Sequence, residues 1–285
     1  MSQSPASPAP SMKGRILPSS ISQVGTVTKY ELVNYFRSRR FFVLLIIGVI
    51  ISALLTALVG YYRPADFMSS SLKFYYNWFN GSITFVIILS GIFYGGDAIS
   101  GEFQNKTGYF LVANPLRRSA IYIGKWLGAL TASVIMLAVF TAIAIGNGVY
   151  YFGPSIPYQL WVSVLFGLLY LIAVLGFTFF FSSMFKSSSI SILVTAILFL
   201  FAFMLIQSLV EALVKIEPWF LITYGAQIVT NTLVDPYPTT STQGFGPNAF
   251  PSYATTIPEG IAILSAYFLV TAVLGLLIFE RKEFT

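Results

Sequence analysis

The stretch that decides the fold is FFVLLIIGVIISALLTALVGYY at residues 41–62, which contains no charged side chain. The hydrocarbon core of a bilayer is about 30 Å thick and a helix rises about 1.5 Å per residue, so about 20 apolar residues cross it. Lipid offers no hydrogen-bond partner to the backbone, so each crossing is predicted to be a helix. The six predicted spans are 41–62, 81–99, 126–146, 159–183, 190–212 and 260–279.

The composition leaves little room for a soluble domain. Of the 285 residues, 56% are hydrophobic and only 9% are charged. We therefore predict an all-α polytopic membrane protein with one domain, residues 21–285. Residues 1–20 are rich in Ser and Pro and lack the apolar core of a secretory signal, which predicts a disordered tail.

The positions of the basic residues predict the orientation in the membrane. Residues 1–40 contain six of the 16 basic residues and the connection after the second predicted span contains four, with three more on the same side. The basic residues left for the opposite side are Arg63, Lys73 and Lys215. The positive-inside rule then places both termini in the cytoplasm. Charges sorted by membrane side indicate lipid as a partner rather than nucleic acid.

Residues 21–40 are predicted to form an interfacial helix. Apolar or neutral residues recur there at spacings of three and four, and the basic residues largely face elsewhere. The alternative is a plain extension of the first span. The stripe consists of Ile21, Val24, Thr28, Leu32, Tyr35 and Phe36.

Three connections differ in character. Residues 63–80 are predicted to be an external loop whose aromatic run, 74–79, anchors at the membrane interface. The connection 95–125 combines turn signals with polar groups and a short apolar run, more than a passive connector needs. The external region 213–258 starts with a partly apolar segment, 218–234, predicted as a short helix in or dipping into the outer leaflet.

Several kinds of chemistry are excluded or disfavoured. The chain has no Cys and no His, which removes disulfides, thiolate metal sites and the commonest general base. The middles of the predicted spans are almost free of ionisable residues, which disfavours a proton relay. The Gly124-Lys125 pair is followed by Trp126, and Ser119 replaces the first glycine of a phosphate-binding loop. The chain is therefore predicted not to be an enzyme, and uphill transport would need energy from another protein.

A set of short motifs in fixed order resembles the permease subunits of type-2 ABC exporters. The set begins before the first span, with Glu31-Leu32 and the basic cluster up to Arg40, and ends with the segment 280–284. Between them lie Ile99-Ser100-Gly101-Glu102, Thr107-Gly108, Leu111, Asn114-Pro115, Arg118 and Gly124-Lys125. The resemblance covers the chain from about residue 26 to its end.

The resemblance implies a motor, a pairing and a set of coupling residues. Two six-span subunits would pair around a translocation path, as a homodimer or a pseudo-dimer, and each would dock a separate ABC ATPase that binds ATP and Mg; no cofactor is expected in this chain. The implied ATPase-coupling residues are Asp97, Glu102, Thr107, Pro115, Arg117, Arg118 and Lys125. The implied elbow residues on the interfacial helix are Tyr30, Glu31, Leu32, Tyr35, Phe36, Arg37, Arg39 and Arg40.

The function expected from these features is ATP-driven export across the plasma membrane of an amphipathic or lipophilic substrate. The apolar spans favour such cargo. One alternative is an assembly or regulatory subunit that transmits force without passing cargo. Another is a secondary transporter or channel that needs no ATPase, which the scarcity of mid-span ionisable residues disfavours.

Overall fold

The computed structural model describes residues 19–105, 116–243 and 250–282, and in these ranges the chain is predominantly helical. An N-terminal helix, Ser20–Arg37, precedes six helices that are long and apolar enough to cross a membrane, as predicted. The six spans, first to sixth, are Arg39–Tyr62, Ser71–Gln104, Arg118–Phe152, Tyr158–Met184, Ser188–Val214 and Ile257–Arg281. The predicted tail lies largely outside the described residues.

The second span is made of separate helical pieces. They are Ser71–Phe79, Ser82–Gly95 and the short helix Ser100–Gln104. The smaller elements elsewhere are the helices Ala65–Met68, Ile222–Gly225 and Ile228–Asn231 and the antiparallel strands Ser241–Gln243 and Phe250–Ser252. The fifth span contains two wider π-helical turns, Leu198–Ala202 and Val210–Val214.

A single serine separates the N-terminal helix from the first span. Ser38 has an extended backbone conformation, and its hydroxyl accepts a hydrogen bond from the Phe41 N–H at 3.3 Å. Its own N–H bonds the Tyr35 carbonyl at 2.9 Å. Ser38 thus ends one helix and caps the next, which lets the chain change direction between them.

The fourth span lies at the centre of the bundle and packs against the second, third, fifth and sixth spans. Its middle is buried, including Tyr170, Leu171, Val174 and Phe179. The first, fifth and sixth spans instead expose rows of large apolar side chains, such as Leu54, Met204 and Leu269. These exposed rows suit contact with lipid.

The aromatic run at 74–79 is part of the core, so the predicted interfacial anchor is wrong. Phe74, Tyr75, Trp78 and Phe79 are all at most 1% exposed. They lie on the helix Ser71–Phe79, whose aromatic face packs against the third and fourth spans. Aromatic residues next to a span are typical both of an interfacial belt and of a buried core, so their composition does not distinguish the two locations. Only the tertiary packing does.

The segment 218–234 forms short helical turns that pack against the protein. Ile222, Tyr224, Ile228 and Val229 are fully buried, between the fourth and sixth spans. The Ser163 hydroxyl donates to the Val229 carbonyl at 2.5 Å, which ties these turns to the fourth span. The predicted short helix is present here as two turns that bury their apolar residues within the bundle.

Candidate functional site

The candidate site lies at the end of the bundle that holds the N-terminal helix, which we call the charged end. The starts of the first, third and fifth spans and the ends of the second, fourth and sixth meet there. The other end of the bundle, with the buried aromatic run and the turns at 222–231, is called the opposite end.

Two glycines of the third span let the N-terminal helix approach closely. A Cβ added at Gly124 would lie 2.6 Å from the Cβ of Val27, and one added at Gly128 would lie 2.9 Å from the Cβ of Glu31. The Thr28 hydroxyl donates to the Gly124 carbonyl at 3.2 Å. Small residues four positions apart make a groove on a helix, and here the groove receives the N-terminal helix.

Lys125, between these glycines, binds two carboxylates from different elements. Its ammonium group lies 2.7 Å from Glu102 in the short helix and 3.1 Å from Glu31 on the N-terminal helix. The lysine side chain is 7% exposed, and those of Glu31 and Glu102 are 14% and 18% exposed. A buried cation needs such partners, so the three residues form one unit that joins three segments of the chain.

A second set of contacts joins the N-terminal helix and the first span to the second span. Arg40 forms an ion pair with Asp97. The Tyr35 hydroxyl donates to the Tyr94 carbonyl at 2.9 Å. Burial, with the charges of Glu31 and Asp97, raises the pKa of the Tyr35 phenol well above its ordinary value. The phenol therefore stays protonated and remains a donor.

A cleft of about 230 Å³ opens between these elements. Polar and charged side chains from the N-terminal helix, the first span, the segment 97–105 and the third span line it, including Asn34 and Asn105. Its carboxylates are Glu31, Asp97 and Glu102, each within ion-pair distance of Lys125 or Arg40. Among the described residues no group of three potential metal-binding side chains is present.

The remaining predicted coupling residues fall into different situations. Thr107 and Pro115 lie outside the described residues. Arg117 has an exposed side chain, and its backbone N–H donates to the Gln23 side chain at 3.0 Å. Arg118 is partly buried and donates to the carbonyls of Glu280 and Lys282 at 2.7 and 2.9 Å. The two adjacent arginines thus have different surroundings, since Arg117 has an exposed side chain and Arg118 binds the end of the sixth span.

The predicted elbow residues divide between two faces of the N-terminal helix and the start of the first span. Glu31 and Tyr35 face the bundle, whereas Tyr30, Phe36, Arg37, Arg39 and Arg40 are exposed. Leu32 is half-buried and, with Phe36, borders an apolar groove that also contains Leu127. One face of the N-terminal helix therefore packs on the third span, and the other face exposes apolar and basic side chains.

Some residues of this end were not identified from the sequence. Gln23 is buried at 3% exposure and its amide oxygen binds the start of the third span, although nothing in its local sequence marks it. Ser182 accepts two backbone bonds from the second span. For the groove a signal existed, since Gly124 and Gly128 have the small-xxx-small spacing of close helix contacts.

Fold and site together define a multi-pass α-helical membrane protein with a tightly connected charged end. A family model described as ABC-2 family transporter protein matches residues 26–284, and the chain belongs to this family. No curated protein matches the chain. The membrane proteins of this family are in general non-catalytic components that work with an ABC ATPase. The roles of the individual coupling and elbow residues stay predictions.

Proposed function

We propose that this chain is the permease subunit of an ATP-driven export complex in the plasma membrane, with both termini in the cytoplasm. A separate ABC ATPase binds ATP and Mg, and a second permease subunit completes the path. The observation that carries the proposal is the Lys125 unit. This unit of Lys125, Glu31 and Glu102 links the short helix, which adjoins the connection where the motor would dock, to the N-terminal helix and to the third span.

A force at the connection would reach the membrane through the ion pair of Glu102 and Lys125. Glu102 lies next to that connection, so a displacement of the short helix changes the distance between Glu102 and Lys125. Lys125 lies on a continuous 35-residue helix that runs through the bundle. The motion of the short helix is thereby passed to the third span. ATP-driven closure of the motor then biases the spans between two arrangements.

The cargo we propose is amphipathic or lipophilic. The spans are rich in Phe, Leu, Ile and Tyr, and an apolar groove of about 260 Å³ lies between the third and sixth spans beside Trp126 and Phe268. Such surfaces stabilise apolar groups by removing them from water.

The test is purification of the tagged chain from its native membrane in mild detergent, followed by mass spectrometry of the bound proteins. A stoichiometric P-loop ATPase is expected. Its reproducible absence from an intact, monodisperse preparation would overturn the proposal and favour an ATPase-independent transporter or channel.

A charge reversal at Arg117 tests whether the ATPase docks at this position. Arg117→Glu alters an exposed side chain at the connection and leaves the backbone bond to Gln23 available, so it should release the ATPase from a folded permease. The matched control is Lys73→Glu, the same change of charge at an exposed position of the opposite end. Equal retention of ATPase by both variants would contradict docking at Arg117.

A further inference from the structure

The short helix Ser100–Gln104 is only five residues long, so its own hydrogen bonds cannot hold it in place. The Ser182 hydroxyl, at the end of the fourth span, accepts bonds from the N–H groups of Ile99 and Ser100, both at 3.0 Å. At its other end, the Gln104 amide oxygen accepts a bond from the Ser188 N–H at 2.7 Å. Both ends of the short helix are therefore tied to neighbouring spans.

The middle of the short helix contacts the end of the sixth span. The Phe103 ring packs edge-on against Phe279, with centroids 6.5 Å apart. The ammonium group of Lys282 lies 4.3 Å from the centroid of the same ring, a distance at which a cation is attracted to the ring face. Phe279 and Lys282, at the end of the sixth span, thus both contact the side chain of Phe103.

Lys282 also closes the end of the fourth span. Its ammonium group donates to the carbonyls of Ser183, Met184 and Phe185 at 2.8, 3.1 and 3.0 Å. The last carbonyls of a helix have no partner within the helix, and a cation there is favourable. Lys282 therefore joins the fourth span to the short helix through one ammonium group.

Arg118 fixes the backbone from which Lys282 extends. The arginine stands at the start of the third span, immediately after the connection, and its guanidinium binds the carbonyls of Glu280 and Lys282.

The ammonium group of Lys282 is mainly protonated at neutral pH. Burial, with the nearby charge of Lys186, lowers its pKa to about 8, and the protonated group keeps its three donors.

We propose that Lys282 is a positioning residue that holds the short helix Ser100–Gln104 against the ends of the fourth and sixth spans. The inference rests on the proposed function for its consequence, because this helix carries Glu102 and adjoins the docking connection. The end of the sixth span then sets the position of the element that receives the motor.

The experiment is hydrogen–deuterium exchange on the full chain in detergent, without a motor. The amides to follow are those of Ile99, Ser100, Gly101, Glu102 and Asn105, which are hydrogen-bonded in this segment. Lys282→Met should speed their exchange about tenfold, because it removes the cation over the Phe103 ring and the charge-assisted bonds to the end of the fourth span, against which the short helix is held. Lys282→Arg, which keeps a cationic donor, should restore most of the protection.

Arg281→Met is the matched control, since Arg281 is basic, adjacent and exposed. It should leave exchange at 99–105 unchanged. If Lys282→Met has no effect there, or if Arg281→Met has the same effect, the positioning role is wrong. If Lys282→Met does not fold, Phe103→Leu keeps an apolar side chain and removes the ring beneath the cation. It should still speed exchange of these amides, and unchanged exchange would overturn the inference.

The readout separates this inference from the proposed function. Exchange at 99–105 reports the position of the short helix whether or not a motor binds, whereas the presence of an ATPase in the native complex tests the function alone. In a complex that contains the ATPase, Lys282→Met should retain the motor and reduce transport per ATP hydrolysed, and Lys282→Arg should recover it. Normal coupling in Lys282→Met would contradict the proposed consequence.

Discussion

Glu31 and Glu102 bind one and the same ammonium group, that of Lys125, at 3.1 and 2.7 Å. One carboxylate belongs to the helix before the first span and the other to the short helix at the end of the second. The short helix has only five residues and is too short to be stable alone. The shared cation makes its position depend on that of the N-terminal helix.

The first prediction concerns this shared cation. Lys125→Met removes the cation that two partly buried carboxylates, Glu31 and Glu102, share. Breaking such a pair should lower the free energy of unfolding by about 3–5 kcal/mol. The measurement is thermal unfolding of the purified chain in detergent.

The control for this experiment removes the charges together. The triple variant Lys125→Met, Glu31→Gln, Glu102→Gln lacks all three charges. It should recover much of the lost stability, because the effects of substitutions at contacting residues on the free energy of unfolding are not additive. A triple variant no more stable than Lys125→Met would show that the ion pairs do not account for the loss.

The second prediction concerns the groove on the third span. Gly124→Ala places a methyl group 2.6 Å from the Cβ of Val27, so the N-terminal helix must move away. Overpacking of this kind costs about 1–3 kcal/mol, and tryptic cleavage at the exposed Lys29 should become about tenfold faster.

Gly146→Ala is the matched control for the groove, because it lies on the same helix and its added Cβ meets no atom within 4 Å. It should leave the cleavage rate at Lys29 as in the unchanged protein. Similar rates for both alanine variants would mean that the N-terminal helix does not depend on the groove.

The third prediction concerns the effect of pH on Tyr35. The unfolded chain loses the phenol proton near pH 10, whereas the raised pKa keeps that proton in the folded protein. The folded state then binds more protons, so the free energy of unfolding falls as the pH rises above about 10. Tyr35→Phe should make this fall shallower and cost about 1 kcal/mol at neutral pH, through the lost bond to Tyr94.

Tyr30→Phe provides the comparison, since Tyr30 is 72% exposed on the same helix. Between about pH 9 and pH 11, the free energy of unfolding should fall less steeply with pH in Tyr35→Phe than in Tyr30→Phe. The opposite ranking would remove the argument for a buried, protonated Tyr35.

The fourth prediction concerns the aromatic run of the opposite end. Trp78 is fully buried and packs beside Phe74, with ring centroids 5.6 Å apart. Trp78→Ala should lower the free energy of unfolding by about 3–5 kcal/mol, because it leaves a cavity. Trp161→Ala, at a tryptophan that is 50% exposed, should cost about 1 kcal/mol or less. Equal losses in thermal unfolding would place Trp78 at the lipid surface instead of the core.

The six spans were predictable because hydropathy is a local property. Residues 41–62 must be helical in lipid whatever the rest of the chain does. The N-terminal helix was predictable from its periodicity, but its faces were not. Val27 is not part of the predicted apolar stripe, yet its side chain packs against Gly124.

The candidate site was predictable as a region but not as a set of contacts. Glu102 and Lys125 were singled out by the resemblance of their motifs, whereas their ion pair depends on how two spans lie beside each other. The same is true of Lys282, which was only part of a terminal motif and binds carbonyls near residue 184.

The amino-acid sequence by itself determined that this chain is a six-span helical membrane protein, because length and hydropathy of a segment decide whether it crosses a bilayer. The tertiary structure alone decided which carboxylates share Lys125, that Trp78 is core and not lipid belt, and that Lys282 contacts Phe103. These contacts join residues far apart in the chain, and their energies depend on burial and distance, which exist only once the helices have packed.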